Sequence, residues 1–203
     1  MLFKQLILGS LSVIAVVASL SSCGYDDRVG SSTASATVSL ESLDSFYAAC
    51  ARGDTDQVQS QLRAQPTLAN AATPETKDSP LMRAAEFSRA EIVAILLSHG
   101  ANPNAVDANG RTALITASYV GDVTTVSRLL AANADPNAAD LPYGFTPLLN
   151  ATLKKHTEVV RLLLAGGADV ELRAKDGRSA LEIAEQHGST EIAALIRAAK
   201  DAK

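Results

Sequence analysis

The sequence predicts an all-α fold, a solenoid of about five helix–turn–helix units with extended loops, because three sets of residues recur in one register. The first set is a hydroxyl residue followed by Pro or Ala and then Leu. It stands at Ser79-Pro80-Leu81, Thr112-Ala113-Leu114, Thr146-Pro147-Leu148 and Ser179-Ala180-Leu181, at steps of 33, 34 and 33 residues. The second is a leucine pair, Leu96-Leu97, Leu129-Leu130 and Leu163-Leu164. The third is a stop, Gly100-Ala101, Asn133-Ala134 and Gly167-Ala168. A fixed period of this length marks supersecondary units that bury their apolar faces by stacking.

Each marker has a physical role. The hydroxyls of Ser79, Thr112, Thr146 and Ser179 are placed to accept the free N–H groups of a first helical turn. Pro80 and Pro147 fall at the first helical position, where a missing N–H costs nothing. Gly100 and Gly167 end a second helix in the left-handed conformation, and Asn133 is the next best residue for that place. Between cap and stop of the third unit lie two apolar segments, Leu114 to Val120 and Val123 to Leu130, with Gly121 as the turn between them. Leu130 and Leu164 are expected in the continuous inter-helix core. The units read as approximately 41–72, 73–106, 107–139, 140–173 and 174–203, the first and last being atypical ends that cap the array.

The pattern resembles the ankyrin repeat, through the run from Asp107 to Ser118 around Thr112-Ala113-Leu114 and through Gly144-Phe145-Thr146-Pro147-Leu148. The resemblance is strong over residues 77–188. It extends upstream, where Phe46, Ala49, Gly53, Val58 and Leu62 match the register of Leu81, Ala84, Ser88, Val93 and Leu97. Cys50 takes the small-residue slot of Ala85, which makes it a buried structural thiol. Two departures stand out. The histidine of the family signature is replaced by Met82, Ile115, Leu149 and Glu182, so contact between repeats is expected to lean on apolar packing. The turn from Asp140 to Gly144 carries one extra residue, which accounts for the 34-residue step.

Upstream of the repeats, residues 1–22 read as a signal peptide. Lys4 supplies the positive start, and Leu6 to Leu20 is an apolar run too short to cross a bilayer. It ends at Leu20-Ser21-Ser22-Cys23, which resembles a bacterial lipobox with Cys23 as the lipidated residue. Residues 23–40 then read as a lipidated Cys and a polar, flexible tether. These features place the chain at the cell envelope, lipid-anchored, on the periplasmic side of the outer membrane if the organism is diderm. With Cys23 acylated, Cys50 has no partner for a disulfide.

Composition narrows the function further. Aromatic residues are 4%, there is no Trp and the net charge is −4, with no basic block of the kind nucleic acid requires. No phosphate loop, metal-spaced Cys pair or zinc-protease motif is present, and His99, His156 and His187 read as structural or surface residues. An enzyme, a cofactor, a metal and a small-molecule substrate are therefore not expected.

Arrays resembling ankyrin repeats bind another protein through a concave face built from loop tips and first helices. Of the eight aromatic residues, Phe87, Tyr119, Tyr143 and Phe145 map to that face, with Arg111, Val120 and Leu153 beside them. Phe87 and Leu153 fit equally well as packing between neighbouring inner helices. Similar exported proteins imply a module that restrains or protects a partner, such as a toxin or an envelope enzyme. A structural assembly factor of an envelope complex is the alternative, and an envelope enzyme is the third.

Overall fold

The structure, a computed structural model, describes residues 39–202. The signal peptide, Cys23 and most of the tether lie outside the described residues. The tether's last two residues already belong to the array. Ser39 caps α1 (Leu40–Arg52) by accepting from the Ser42 N–H at 3.2 Å, so the array begins earlier than residue 41.

Helices follow in pairs. After α1 come α2 (Thr55–Ala64), a 3₁₀ turn (Pro66–Asn70), α3 (Pro80–Glu86), α4 (Ala90–Ser98), α5 (Ala113–Val120), α6 (Val123–Ala131), α7 (Pro147–Leu153), α8 (Thr157–Ala165), α9 (Ala180–Gln186) and α10 (Thr190–Asp201). The described residues thus form an all-α solenoid of five units. The odd-numbered helices stack on one another as an inner row, and the even-numbered ones form an outer row.

The caps form as the sequence predicts. Ser79, Thr112, Thr146 and Ser179 each accept the N–H three residues on, from Met82, Ile115, Leu149 and Glu182. Each such cap contributes about 1 kcal/mol. Glu182 also returns a bond to the Ser179 N–H at 2.8 Å, which closes a capping box on the last inner helix. At the stops, Gly100, Asn133 and Gly167 have φ of 79°, 61° and 87°.

The turn between the two helices of a unit is left-handed in all five units, at Gly53, Ser88, Gly121, Lys155 and Gly188. Gly121 has a second reason to lack a side chain. A Cβ there would lie 2.5 Å from the His156 ring of the next unit. That ring donates from Nε2 to the Tyr119 carbonyl at 3.2 Å. Arg89 does the same two units earlier, donating to the Ala51 carbonyl at 2.9 Å. Both side chains cap the end of the preceding inner helix.

Burial corrects one detail of the core. Leu96, Leu129 and Leu163, the first of each leucine pair, are fully buried. Leu97, Leu130 and Leu164 are only partly buried and pack at the core's edge. Phe46, Ala49, Val58 and Leu62 are fully buried, so the upstream unit is a true repeat. Cys50 is fully buried and free, and burial pushes its thiol up to about 12, so it stays protonated. In the same slot, Ser118 and Thr152 are buried with no hydrogen-bond partner for their hydroxyls, so small volume rather than polarity is what this position requires.

Contact between repeats adds a polar component to the expected apolar packing. Asn70, Asn104 and Asn137 form a ladder. Each donates from Nδ2 to the carbonyl at the next unit's stop, Gly100 at 2.8 Å, Asn133 at 3.1 Å and Gly167 at 3.4 Å. Each accepts at Oδ1 from a backbone N–H two residues further on, Asn102, Asp135 and Asp169, at 2.7 Å. In the fourth unit the position is Glu171, which pairs with Lys200 of the last unit at 2.8 Å. Backbone bonds also tie loop to loop, from the N–H of Ala108, Leu141 and Lys175 to the carbonyls of Thr76, Asn109 and Tyr143. The ladder residues are water-accessible, so water takes over part of what a deletion removes. Asn104→Ala should therefore lower stability by only about 1 kcal/mol, read as a shifted urea midpoint at unchanged slope. A wild-type midpoint would show the ladder to be idle.

Candidate functional site

The loop tips set one edge of the site. Asp107 is buried, and its Oδ1 accepts the N–H groups of Asn109 and Arg111, each at 2.8 Å. Its Oδ2 holds the Arg111 Nε at 2.8 Å, which fixes the guanidinium at the groove edge. That hydrogen bond raises the pKa of Arg111 and keeps it charged, with Asp78 and Glu86 adding to the effect. Asp140 repeats the turn one unit on, its Oδ1 accepting from the N–H groups of Tyr143 and Phe145 at 3.0 Å. The extra residue is visible here. The Asp140 N–H meets the carbonyl of Phe145, five residues on, where the Asp107 N–H meets that of Arg111, four on. The loop from Thr73 to Asp78 is long in the same way, which the repeat markers did not reveal.

Between these tips and the inner helices α3, α5 and α7 lies a groove of about 470 Å³. Arg111, Tyr119, Val120, Tyr143, Phe145 and Leu153 line it, so it gathers six of the seven side chains assigned to this face from the sequence. Tyr143 is 65% exposed and Tyr119 49%. The ring centroids of Tyr143 and Phe145 are 6.2 Å apart with planes tilted by 51°. Lys154 sits over the Tyr119 ring at 4.2 Å.

Two placements refine the expectation. Phe145 is not a free loop-tip ring; it is half-buried and packs on the core, as does Leu153. Phe87 is exposed at the end of α3, but Glu86 rather than Phe87 enters the groove lining. Glu86, Ile115, Thr116, Asp140 and Asn150 complete the wall and were not singled out in the sequence. Asn150 had a signal. It occupies the register position of Arg83, Thr116 and Ile183, where an amide has no part in the repeat pattern.

Cys23 lies outside the described residues. Among those described, no helix is long and apolar enough to cross a membrane, and no group of His, Cys, Asp or Glu is arranged to hold a metal ion. His99 satisfies the end of its own helix through the Ile95 carbonyl at 2.9 Å.

Comparison with known proteins follows the geometry. The family model described as ankyrin repeats (3 copies) matches residues 46–140 and 119–203. Ankyrin repeat and SAM domain-containing protein 6 of Rattus norvegicus is 40% identical over 39% of this chain and 9% of its own length. Palmitoyltransferase AKR1 of Lachancea kluyveri is 31% identical over 57% of this chain and 21% of its own. Cyclin-dependent kinase inhibitor 2A of Monodelphis domestica is 34% identical over 58% of this chain and 68% of its own. The chain thus spans a small part of the first two relatives and about two thirds of the third.

Proposed function

The chain belongs to the ankyrin-repeat family, and on that premise we propose that it is a binding module for another protein, held at the cell envelope by a lipid on Cys23. Binding runs through the inner-helix face and restrains or protects the partner. The observation that carries this reading is the groove, where Tyr119 and Tyr143 stay exposed on a scaffold fixed by caps and loop-to-loop bonds. Rigid aromatic side chains on such a scaffold lose little entropy on binding and serve as interface anchors. The similarity to a protein named as a kinase inhibitor supports a role in which binding itself is the activity. The chain is accordingly read as a non-enzyme, with neither nucleic acid nor a small molecule as its ligand.

The binding reading is tested by placing a photo-crosslinking phenylalanine analogue at Tyr143 and, in a second protein, at Ser127 on the exposed side of α6. A partner should cross-link from position 143 and not from 127. Cross-linking from 127 alone would move the interface to the outer helices.

The anchor is tested separately. Mass spectrometry should find an acylated Cys23 as the first residue of the mature chain. Each buried CH₂ contributes about 0.8 kcal/mol, so several acyl chains hold the protein on membranes through a salt wash. Cys23→Ser should release it into the soluble fraction, and a wild-type protein that washes off in salt would remove the anchor from the reading.

A further inference from the structure

Three features of the groove restrict what can sit in it. The first is charge. Arg111 is engaged by Asp107 at 2.8 Å. Arg83 is shared between Asp78 at 3.1 Å and Glu86 at 2.9 Å, one cation against two carboxylates. Asp140 uses one oxygen for two backbone N–H groups, and among the described residues no cation pairs with the other. The groove lining itself holds two carboxylates, Glu86 and Asp140, and one cation, Arg111, which Asp107 already engages; the neighbouring cations Lys154 and Lys175 are placed on the Tyr119 ring and on the Leu141 carbonyl. The pKa of Asp78 is raised in this setting. Burial raises it most, Arg83 and Arg111 lower it, and Glu86 and Asp107 raise it.

The second feature is the aromatic wall of Tyr119, Tyr143 and Phe145, whose ring faces attract cations. Lys154, placed over Tyr119 at 4.2 Å, already makes that pairing on one ring of the wall.

The third is Asn150, only 7% exposed and on the groove wall. One Nδ2 hydrogen goes to the Thr146 carbonyl at 3.2 Å. Its Oδ1 accepts nothing among the described residues. A carboxamide with one free donor and one free acceptor matches the N–H and C=O of a peptide unit in an extended chain. Both free groups reach water in the unbound protein, so a peptide unit that replaces the water keeps their hydrogen bonds while it fills the groove. The volume, about 470 Å³, suits a few side chains of a strand rather than a folded surface.

Resting on the protein-binding reading above, we infer that the groove takes an extended, basic segment of the partner protein. One Lys or Arg side chain lies between Glu86, Asp140 and the aromatic rings, an apolar neighbour rests on Leu153, and one peptide unit pairs with Asn150.

The test titrates the full-length mature protein with three labelled short peptides. They differ only at a central position, arginine, glutamine or glutamate, flanked by leucines. The arginine peptide should bind about tenfold tighter than the glutamine one, the glutamate peptide should bind weakest, and added salt should compress the order. Glu86→Gln and Asp140→Asn keep the hydrogen-bonding shape of each side chain, so melts should be unchanged while most of the arginine preference disappears. Asn150→Leu, checked by the same melt, should weaken all three peptides alike, because it reads main chain. Equal binding of the three peptides, a preference for glutamate, or an arginine preference that survives both charge-neutralising changes would overturn the inference. The peptides also serve as competitors of the position-143 cross-link. A partner displaced only by the neutral or acidic peptide would sink the basic segment and leave the binding reading standing. Failure of both cross-link and peptides would remove both.

Discussion

Leu129→Ala should be among the most damaging single substitutions in the array, costing about 2–5 kcal/mol. The side chain is fully buried. It sits on α6, which packs against α5 in its own unit and against α4 and α8 on either side. A cavity there weakens two inter-repeat interfaces at once, and in a stacked array such a loss spreads to neighbouring units. For a chain of this length the thermal midpoint should fall by about 5–15 °C. Leu130→Ala is the control. Its side chain is partly buried and lies against Gly166 of the next unit, where a Cβ would come within 3.0 Å of it. Removing it should cost about 1 kcal/mol, in line with the smaller area taken from water. A midpoint that falls further for Leu130→Ala than for Leu129→Ala would mean that the wrong leucine of the pair carries the core.

That pair shows where sequence reasoning succeeded and where it stopped. Periodicity located the pair but could not orient it, because both leucines recur at the same step and a nine-residue helix is too short for spacing alone to separate core from edge. Caps and stops were legible because their chemistry is local: a hydroxyl serves the N–H three residues on, and a left-handed φ selects Gly or Asn. The asparagine ladder was equally periodic, at Asn70, Asn104 and Asn137, yet it went unread. Its partners are backbone groups of the next unit, 30 or so residues away, and an exposed loop asparagine gives no sign of them. The groove was legible by register, which brought six of its lining side chains together. Asn150 stood out in its register position, but its place on the wall and that of Asp140 were not legible, since both follow from how the loops and inner helices assemble.

Replacing both Tyr119 and Tyr143 with Ala should leave folding nearly intact and cut partner affinity by about 2 kcal/mol or more, roughly thirtyfold. Both rings are about half exposed or more, so little buried area is lost from the fold. Tyr143 stands on the loop lengthened by one residue, and its backbone carbonyl, which the substitution preserves, keeps the bond to Lys175 at 2.8 Å. Tyr119 likewise leaves its carbonyl in place for His156. Phe145 is unsuitable for this test, because its half-buried ring packs on the core and its loss would lower stability together with affinity. Phe87→Ala supplies the comparison: an exposed aromatic of similar size in the neighbouring unit, outside the groove lining. It should change affinity by less than about 0.5 kcal/mol, as a rim contact does. The measurement is a titration of each variant against the partner captured through position 143, with a thermal melt alongside. Wild-type affinity in the double variant, at an unchanged melt, would show that the aromatic groove is not the interface and would direct the search to the outer helices.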